Sequence, residues 1–304
     1  FRDLPAELVC LDIANREGAE LWKLRGEDLA TGDGELPPWR WEGTPLVRQG
    51  RAYALATRRR PQLEWSLVCL DAETGLVLWQ RPIGITRPTP SDQENRVSQL
   101  LLTEGGGQLY VATDWGALAA LDAEDGRLLW ALSYENDGNG SLRPASPPPV
   151  YADGRLYAAL VDGDRFVCVD AASGAILWMR PLPEPVRHVL GVGQGRVFAS
   201  GRSLWAFDTT TGAIAWSIRS AEPSDWGYGR GLLVGDQVWW TSRETLWCHD
   251  QQSGATLREQ DLSTVDRRSG GNLVSSQGIV LIAGPERLTA YGEYARIREP
   301  APFP

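Results

Sequence analysis

Residues 67–79 read LVCLDAETGLVLW: an aliphatic run, a tight turn, and a second aliphatic run that ends on an indole. The frame Asp-x-x-(Thr/Ser)-Gly-x-x-x-Trp, here Asp71, Thr74, Gly75 and Trp79, returns as Asp170, Ser173, Gly174, Trp178 and as Asp208, Thr211, Gly212, Trp216. Two looser copies follow the same frame. Asp122, Asp125, Gly126, Trp130 has Asp in place of the hydroxyl residue, and Asp250, Ser253, Gly254, Arg258 has Arg in place of the tryptophan. A sixth, from Asp12 through Gly18 to Trp22, carries two extra turn residues. A phrase that recurs in this way marks stacked modules, each of which holds half a core until its neighbour covers it.

The residue types follow from the chemistry of a tight hairpin. An Asp at the start of a turn accepts hydrogen bonds from amides one to three residues ahead, and the Thr or Ser hydroxyl closes the same turn. Gly follows because the loop needs a residue at positive φ, which costs glycine little. Trp then falls on the last strand, where a large ring fills the gap between neighbouring sheets. These acids are therefore read as turn caps, not as catalytic groups.

Residues 147–180 give the clearest whole unit. A strand opens at Tyr151, Asp153 and Gly154 turn it, residues 155–160 form a second, residues 165–170 a third, and residues 175–179 a fourth. The second strand carries its own marker: Tyr53, Tyr110, Tyr157, Phe198, Trp239 and Leu281 occupy equivalent places. The repeat aspartates at 12, 71, 122, 170, 208 and 250 lie 59, 51, 48, 38 and 42 residues apart. The shorter intervals approach the roughly 40 to 50 residues of a propeller blade. The expected fold is all-β, a β-propeller of four-stranded antiparallel blades. The first unit supplies only a third and fourth strand and the last only the first three, which makes seven blades and leaves six or eight open.

The 304 residues are expected to form one propeller domain, residues 1–304, with an excerpt of a longer chain left open. No charged-then-apolar leader precedes Phe1 and there is no initiator Met, so either a leader has been removed or the sequence is a piece. No apolar stretch approaches the ~20 residues of a membrane span. The net charge of −9 argues against a phosphate-binding surface and so against nucleic acid. Lys23 is the sole lysine and sits beside Trp22 in a repeat strand, which excludes phosphate-loop and Schiff-base chemistry. Cys10, Cys69, Cys168 and Cys248 each stand two residues before a repeat Asp, and they read as unpaired small hydrophobes.

Three insertions, residues 26–45, 81–106 and 133–149, have loop compositions and are where a rigid scaffold would display its contacts. Trp39, Arg40 and Trp41 in the first, with Trp226, Tyr228 and Arg230 further on, are the residue types that dominate binding hot spots. Arg58, Arg59 and Arg60 form the densest positive run and read as a solvated hairpin tip, with contact to an acidic partner or anionic glycan as the alternative. The only histidines, His188 and His249, lack a supporting motif and read as structural. Asp137, Asn139 and Ser141 begin like a calcium loop, but Pro148 stands where the closing Glu belongs. No catalytic residue and no metal ligand is expected.

The repeat resembles the tryptophan-docking motif of quinoprotein-like β-propellers, from about Glu7 to Tyr291. The resemblance reaches two bacterial branches. One is the pyrroloquinoline quinone (PQQ) dehydrogenases, which hold a quinone against a ring of two adjacent disulfide-bonded cysteines beside calcium. The other is the non-catalytic BamB-type assembly factors, which bind partners. No two cysteines are adjacent here, so no cofactor is expected, PQQ with calcium included. The resemblance implies a protein-binding scaffold in the periplasm or cell envelope. Its partner would be another protein or a larger parent polypeptide; a glycan is a further possibility and an oxidoreductase the alternative activity.

Overall fold

A computed structural model describes residues 7–13, 18–29, 37–59, 61–86, 102–113, 116–135, 146–160, 164–182, 184–219, 229–263, 270–276, 278–284 and 286–291. Their strands run in seven antiparallel sheets taken in chain order. The first holds β1 (Glu7–Asp12) and β2 (Ala19–Arg25); a 3-10 turn at Gly26–Leu29 follows. The second holds β3 (Arg40–Arg48), β4 (Arg51–Arg59), β5 (Leu63–Asp71) and β6 (Val77–Thr86), and the third β7 (Leu102–Gly105), β8 (Gln108–Ala112), β9 (Ala117–Asp122) and β10 (Leu128–Ser133). The fourth holds β11 (Val150–Ala152), β12 (Arg155–Leu160), β13 (Arg165–Asp170) and β14 (Ile176–Pro181), and the fifth β15 (Val186–Gly193), β16 (Arg196–Gly201), β17 (Ser203–Asp208) and β18 (Ile214–Arg219). The sixth holds β19 (Leu232–Val234), β20 (Gln237–Thr241), β21 (Thr245–Asp250) and β22 (Thr256–Asp261), and the seventh β23 (Asn272–Ser276), β24 (Ile279–Ala283) and β25 (Leu288–Tyr291).

Backbone contacts divide the chain into two compact units, Phe1–Gly154 with Ala171–Gly174, and Arg155–Asp170 with Ala175–Pro304. In the first, Asp71 Oδ1 accepts from the amides of Glu73 (3.2 Å) and Thr74 (2.8 Å) and from the Thr74 hydroxyl (2.8 Å). In the second, Asp208 Oδ1 does the same for Thr210, Thr211 and the Thr211 hydroxyl. Where Asp125 replaces the hydroxyl residue, its carboxylate takes the Arg127 amide at 2.8 Å, the same place that the Thr211 and Ser253 hydroxyls fill for the amides of Ala213 and Ala255. These bonds lower the carboxyl pKa values of Asp71, Asp208 and Asp250, as accepted hydrogen bonds favour the charged form.

One row of three residues crosses each complete hairpin pair. Tyr53 lies opposite Cys69, and Cys69 opposite Trp79; Tyr157, Cys168 and Trp178 repeat the row, as do Phe198, Ala206 and Trp216. The middle residue is small, and the two rings meet over it with centroids 6.0, 6.0 and 5.8 Å apart. That explains the cysteines two residues before the repeat Asp. They are thin floor beneath an aromatic pair, and burial raises the Cys69 and Cys168 thiols to about 11, well away from reactivity.

Each indole then docks on the turn glycine of the following sheet. A Cβ built on Gly75 would lie 2.6 Å from the Trp22 ring, on Gly126 2.7 Å from Cε3 of Trp79, on Gly174 2.6 Å from Trp130, on Gly212 2.5 Å from Trp178 and on Gly254 2.8 Å from Trp216. All five glycines have φ between 68° and 75°, so backbone and contact both demand glycine. The indole N–H donates to the carbonyl just after the repeat Asp: Trp22 to Ala72, Trp130 to Ala171, Trp178 to Thr209, Trp216 to Gln251, at 2.9 to 3.1 Å. Trp79 departs from this. Its Nε1 has no partner, and the matching Ala123 carbonyl already accepts from the Tyr53 hydroxyl and an Arg51 guanidinium N–H.

The strands run longer than the composition of the insertions suggests. β6 continues to Thr86, and β7 begins at Leu102, inside the stretch read as loop from 81 to 106. β3 claims Arg40–Arg48 from the first insertion, because Trp41 pairs opposite Ala56 and extends the long β4–β5 hairpin.

Candidate functional site

In the first unit the structure brings Trp39, Trp41 and Arg58 into one packed group. Trp39 is 8% exposed, in a core cluster with Leu29, Ala52, Ala56, Val68 and Leu70. The Arg58 guanidinium stands 4.4 Å above its ring and donates Nε and Nη2 to Glu64 Oε2 at 3.1 and 2.7 Å. Gly26 is obligatory here, since a Cβ would fall 1.5 Å from the Trp39 carbonyl oxygen. Trp41 is half-buried and donates Nε1 to the Leu24 carbonyl at 3.1 Å.

This corrects the solvated-tip reading of Arg58. It lies on β4 with its head held between an indole face and a carboxylate, because six residues across the hairpin bring Glu64 opposite it. An ion pair and a cation–π contact on one guanidinium are worth more than hydration of an exposed tip. Trp39 has no open ring face left. Arg40 and Arg59 remain exposed on this edge. Arg60, Trp226 and Tyr228 lie outside the described residues, as does the calcium-like stretch at Asp137, Asn139 and Ser141.

In the second unit Arg230 leads into β19, exposed, with its amide donating to Asn272 Oδ1 at 2.8 Å and its carbonyl accepting from the Leu273 amide. His188 is half-buried on β15. Burial first, then the positive charges of Arg230 and Arg187, hold its pKa down to about 4. Sequence reasoning missed Glu64, whose signal was its spacing from Arg58. It also missed Ser200, Trp240 and Asn272, which carry no local signal and matter only through what faces them.

His249 stands where the other copies have an apolar residue before the Asp. It is 1% exposed, with Nδ1 3.2 Å from the Thr256 hydroxyl and Nε2 without a partner. Burial holds its pKa down to about 4, against the 6.5 it regains on unfolding. The unfolded chain therefore binds the extra proton more readily. Stability is full above pH 6.5 and falls as the pH drops from 6.5 towards 4. Urea unfolding at pH 7 and pH 5 should differ by about 2 kcal/mol from this residue. His249→Leu should remove that share of the difference, leaving the smaller part due to half-exposed His188. The carboxyls of Asp71, Asp208 and Asp250, lowered by their turn hydrogen bonds, titrate below this window.

Comparison with known proteins places this arrangement. A solved structure of BamB from Moraxella catarrhalis superposes with a TM-score of 0.60 at 18% identity, over 91% of this chain and 77% of that one. Serial four-stranded sheets with tryptophan docked on glycine thus define a β-propeller of quinoprotein-like repeats. The family model described as outer membrane protein assembly factor BamB matches residues 5–148 and 116–238, and the chain belongs to that family. Among curated relatives, polyvinylalcohol dehydrogenase of Sphingopyxis sp. (strain 113P3) is 24% identical over 73% of this chain and 44% of its own length. Outer membrane protein assembly factor BamB of Moranella endobia (strain PCIT) is 26% identical over 50% of this chain and 39% of its own. The chain spans less than half the length of the curated relatives it matches.

Proposed function

We propose that this chain is a non-enzymatic scaffold that binds another protein during assembly, through exposed residues on the rims of its blades. The family match over residues 5–238 carries the reading. The repeat's own chemistry supports it, since the repeat acids are committed to turns and the repeat indoles to packing. Exposed Arg40 and Arg59 are the first candidates for contact in the first unit, and Arg230 in the second. Among the described residues no helix is long and apolar enough to cross a membrane.

The likeness to polyvinylalcohol dehydrogenase favours a second reading, a relative of the quinone-dependent oxidoreductases. The residues do not fit the quinone seat of that group. No two cysteines are adjacent, and Cys69, Cys168 and Cys248 are free thiols buried on the third strands of three different sheets.

Two measurements separate the readings. Affinity capture on the wild-type chain should retain a defined protein that is lost with the doubly reversed variant Arg40→Glu, Arg59→Glu, while the circular dichroism of that variant is unchanged. Titration with PQQ and calcium should give no saturable spectral change and no dye-linked alcohol oxidation. Saturable binding with turnover would establish the oxidoreductase instead.

A further inference from the structure

We propose that the layer between the fifth and sixth sheets ends in an oxyanion site, in which Arg230, His188, Ser200 and Asn272 hold a carboxylate or a group of like shape. The inference rests on the placement of these groups; it shares Arg230 with the assembly reading and is tested by small anions that do not depend on that reading.

The floor is built from buried donors that the chain leaves unanswered. Ser200 lies on β16, two residues beyond Phe198, so it points to the same side of the sheet. Phe198 packs in a cluster with Leu190, Val238 and Trp240, which fixes that side as the one facing β20. Trp240 faces back from β20. Both residues are 1% exposed, and neither the Ser200 hydroxyl nor the Trp240 indole nitrogen has a hydrogen-bond partner. A buried polar atom without a partner is costly, so two in one layer call for an acceptor from outside.

The rim supplies the charge. His188 is the cross-strand partner of Ser200, which sets the two side chains on one face at about 5 Å between Cβ atoms. Leu190, two residues on, lies beside Gly231, the residue after Arg230, where a Cβ would fall 3.0 Å from Leu190 Cδ1. Arg230 has no ion pair and no side-chain hydrogen bond among the described residues. The Asn272 carbonyl oxygen is taken by the Arg230 amide, which leaves its NH2 free to donate outward. Each of these groups can donate a hydrogen bond, and the charges acting on His188, from Arg230 and Arg187, are both positive. Water satisfies lone donors, but a guanidinium grouped with further donors is best matched by an anion that accepts from several of them at once. In a chain of net charge −9 this is a local excess of the opposite sign.

His188 and His249 are the only histidines, so their imidazole proton NMR signals report the site directly, with His249 at the turn end of β21 as internal control. Acetate, succinate and inorganic phosphate, titrated against chloride at fixed ionic strength, should shift the His188 signals saturably and leave His249 unmoved. Arg230→Gln should weaken that binding at least about tenfold, Arg230→Lys should restore part of it, and Ser200→Ala should weaken it with the histidine signals otherwise unchanged. A hexaglutamate peptide serves as the second arm. Tighter binding of the peptide than of succinate assigns the carboxylate to a protein partner, and the reverse assigns it to a free small anion. Equal response to chloride and the oxyanions, or an Arg230→Gln variant that binds as the wild type does, would overturn the site.

Discussion

Trp178→Ala should unfold with about 3 to 5 kcal/mol less free energy than the parent, a large part of the ~5 to 15 kcal/mol that holds a typical domain. The indole is 6% exposed, packs edge-on to Phe166 at 5.6 Å and tilted to Tyr157 at 6.0 Å, and donates to the Thr209 carbonyl at 3.0 Å. Its removal opens a cavity between two sheets and takes one donor away from that carbonyl. Arg155 Nη1 also donates to Thr209 O, so the carbonyl keeps one bond and the loss is mainly of packing. Urea denaturation monitored by circular dichroism measures it. A melting temperature within a degree or two of the parent would show that the ring is not the wedge between these sheets.

Gly212→Ala should be nearly as damaging, from the other side of the same contact. Glycine sits there at φ 68°, and the new methyl would lie 2.5 Å from Cε3 of Trp178 and 3.0 Å from Cγ of Arg180. Left-handed backbone costs an alanine roughly 1 to 2 kcal/mol and the overlap about 1 to 3 kcal/mol more. The two terms can be separated. In a Trp178→Ala background the overlap with the ring is gone, so Gly212→Ala should there cost only about 1 to 2 kcal/mol, a coupling of 1 to 3 kcal/mol. Strict additivity of the two substitutions would show that the glycine is required for its backbone alone.

The turn and the wedge were legible in the sequence because both are written locally. Asp71 speaks to Thr74 three residues away, and the strand positions of Trp79 and Cys69 follow from period-two alternation around that turn. The strand-two aromatics were legible for the same reason. What could not be read was where a side chain goes once sheets face one another. Trp39 has the composition of an exposed contact, yet its cover comes from Leu29, Ala56 and Val68, which are scattered in sequence. Arg58 reads as one of three like charges until the hairpin sets Glu64 against it. Ser200 and Trp240 are ordinary strand residues whose shared layer exists only between sheets.

The row of docked indoles also stops in a telling place. Arg258 replaces tryptophan on the outer strand of the sixth sheet, and the described part of the seventh sheet ends at Tyr291 without the Asp-Gly turn that would receive a ring. Among the described residues, anchor and receptor are missing together. Since every such joint is made from one module and its immediate successor, nothing in a given module records how many others exist. Gene duplication or deletion of a single unit would carry half a joint at each end and rebuild both on insertion, which leaves the length of such arrays free to drift while the joint itself stays fixed.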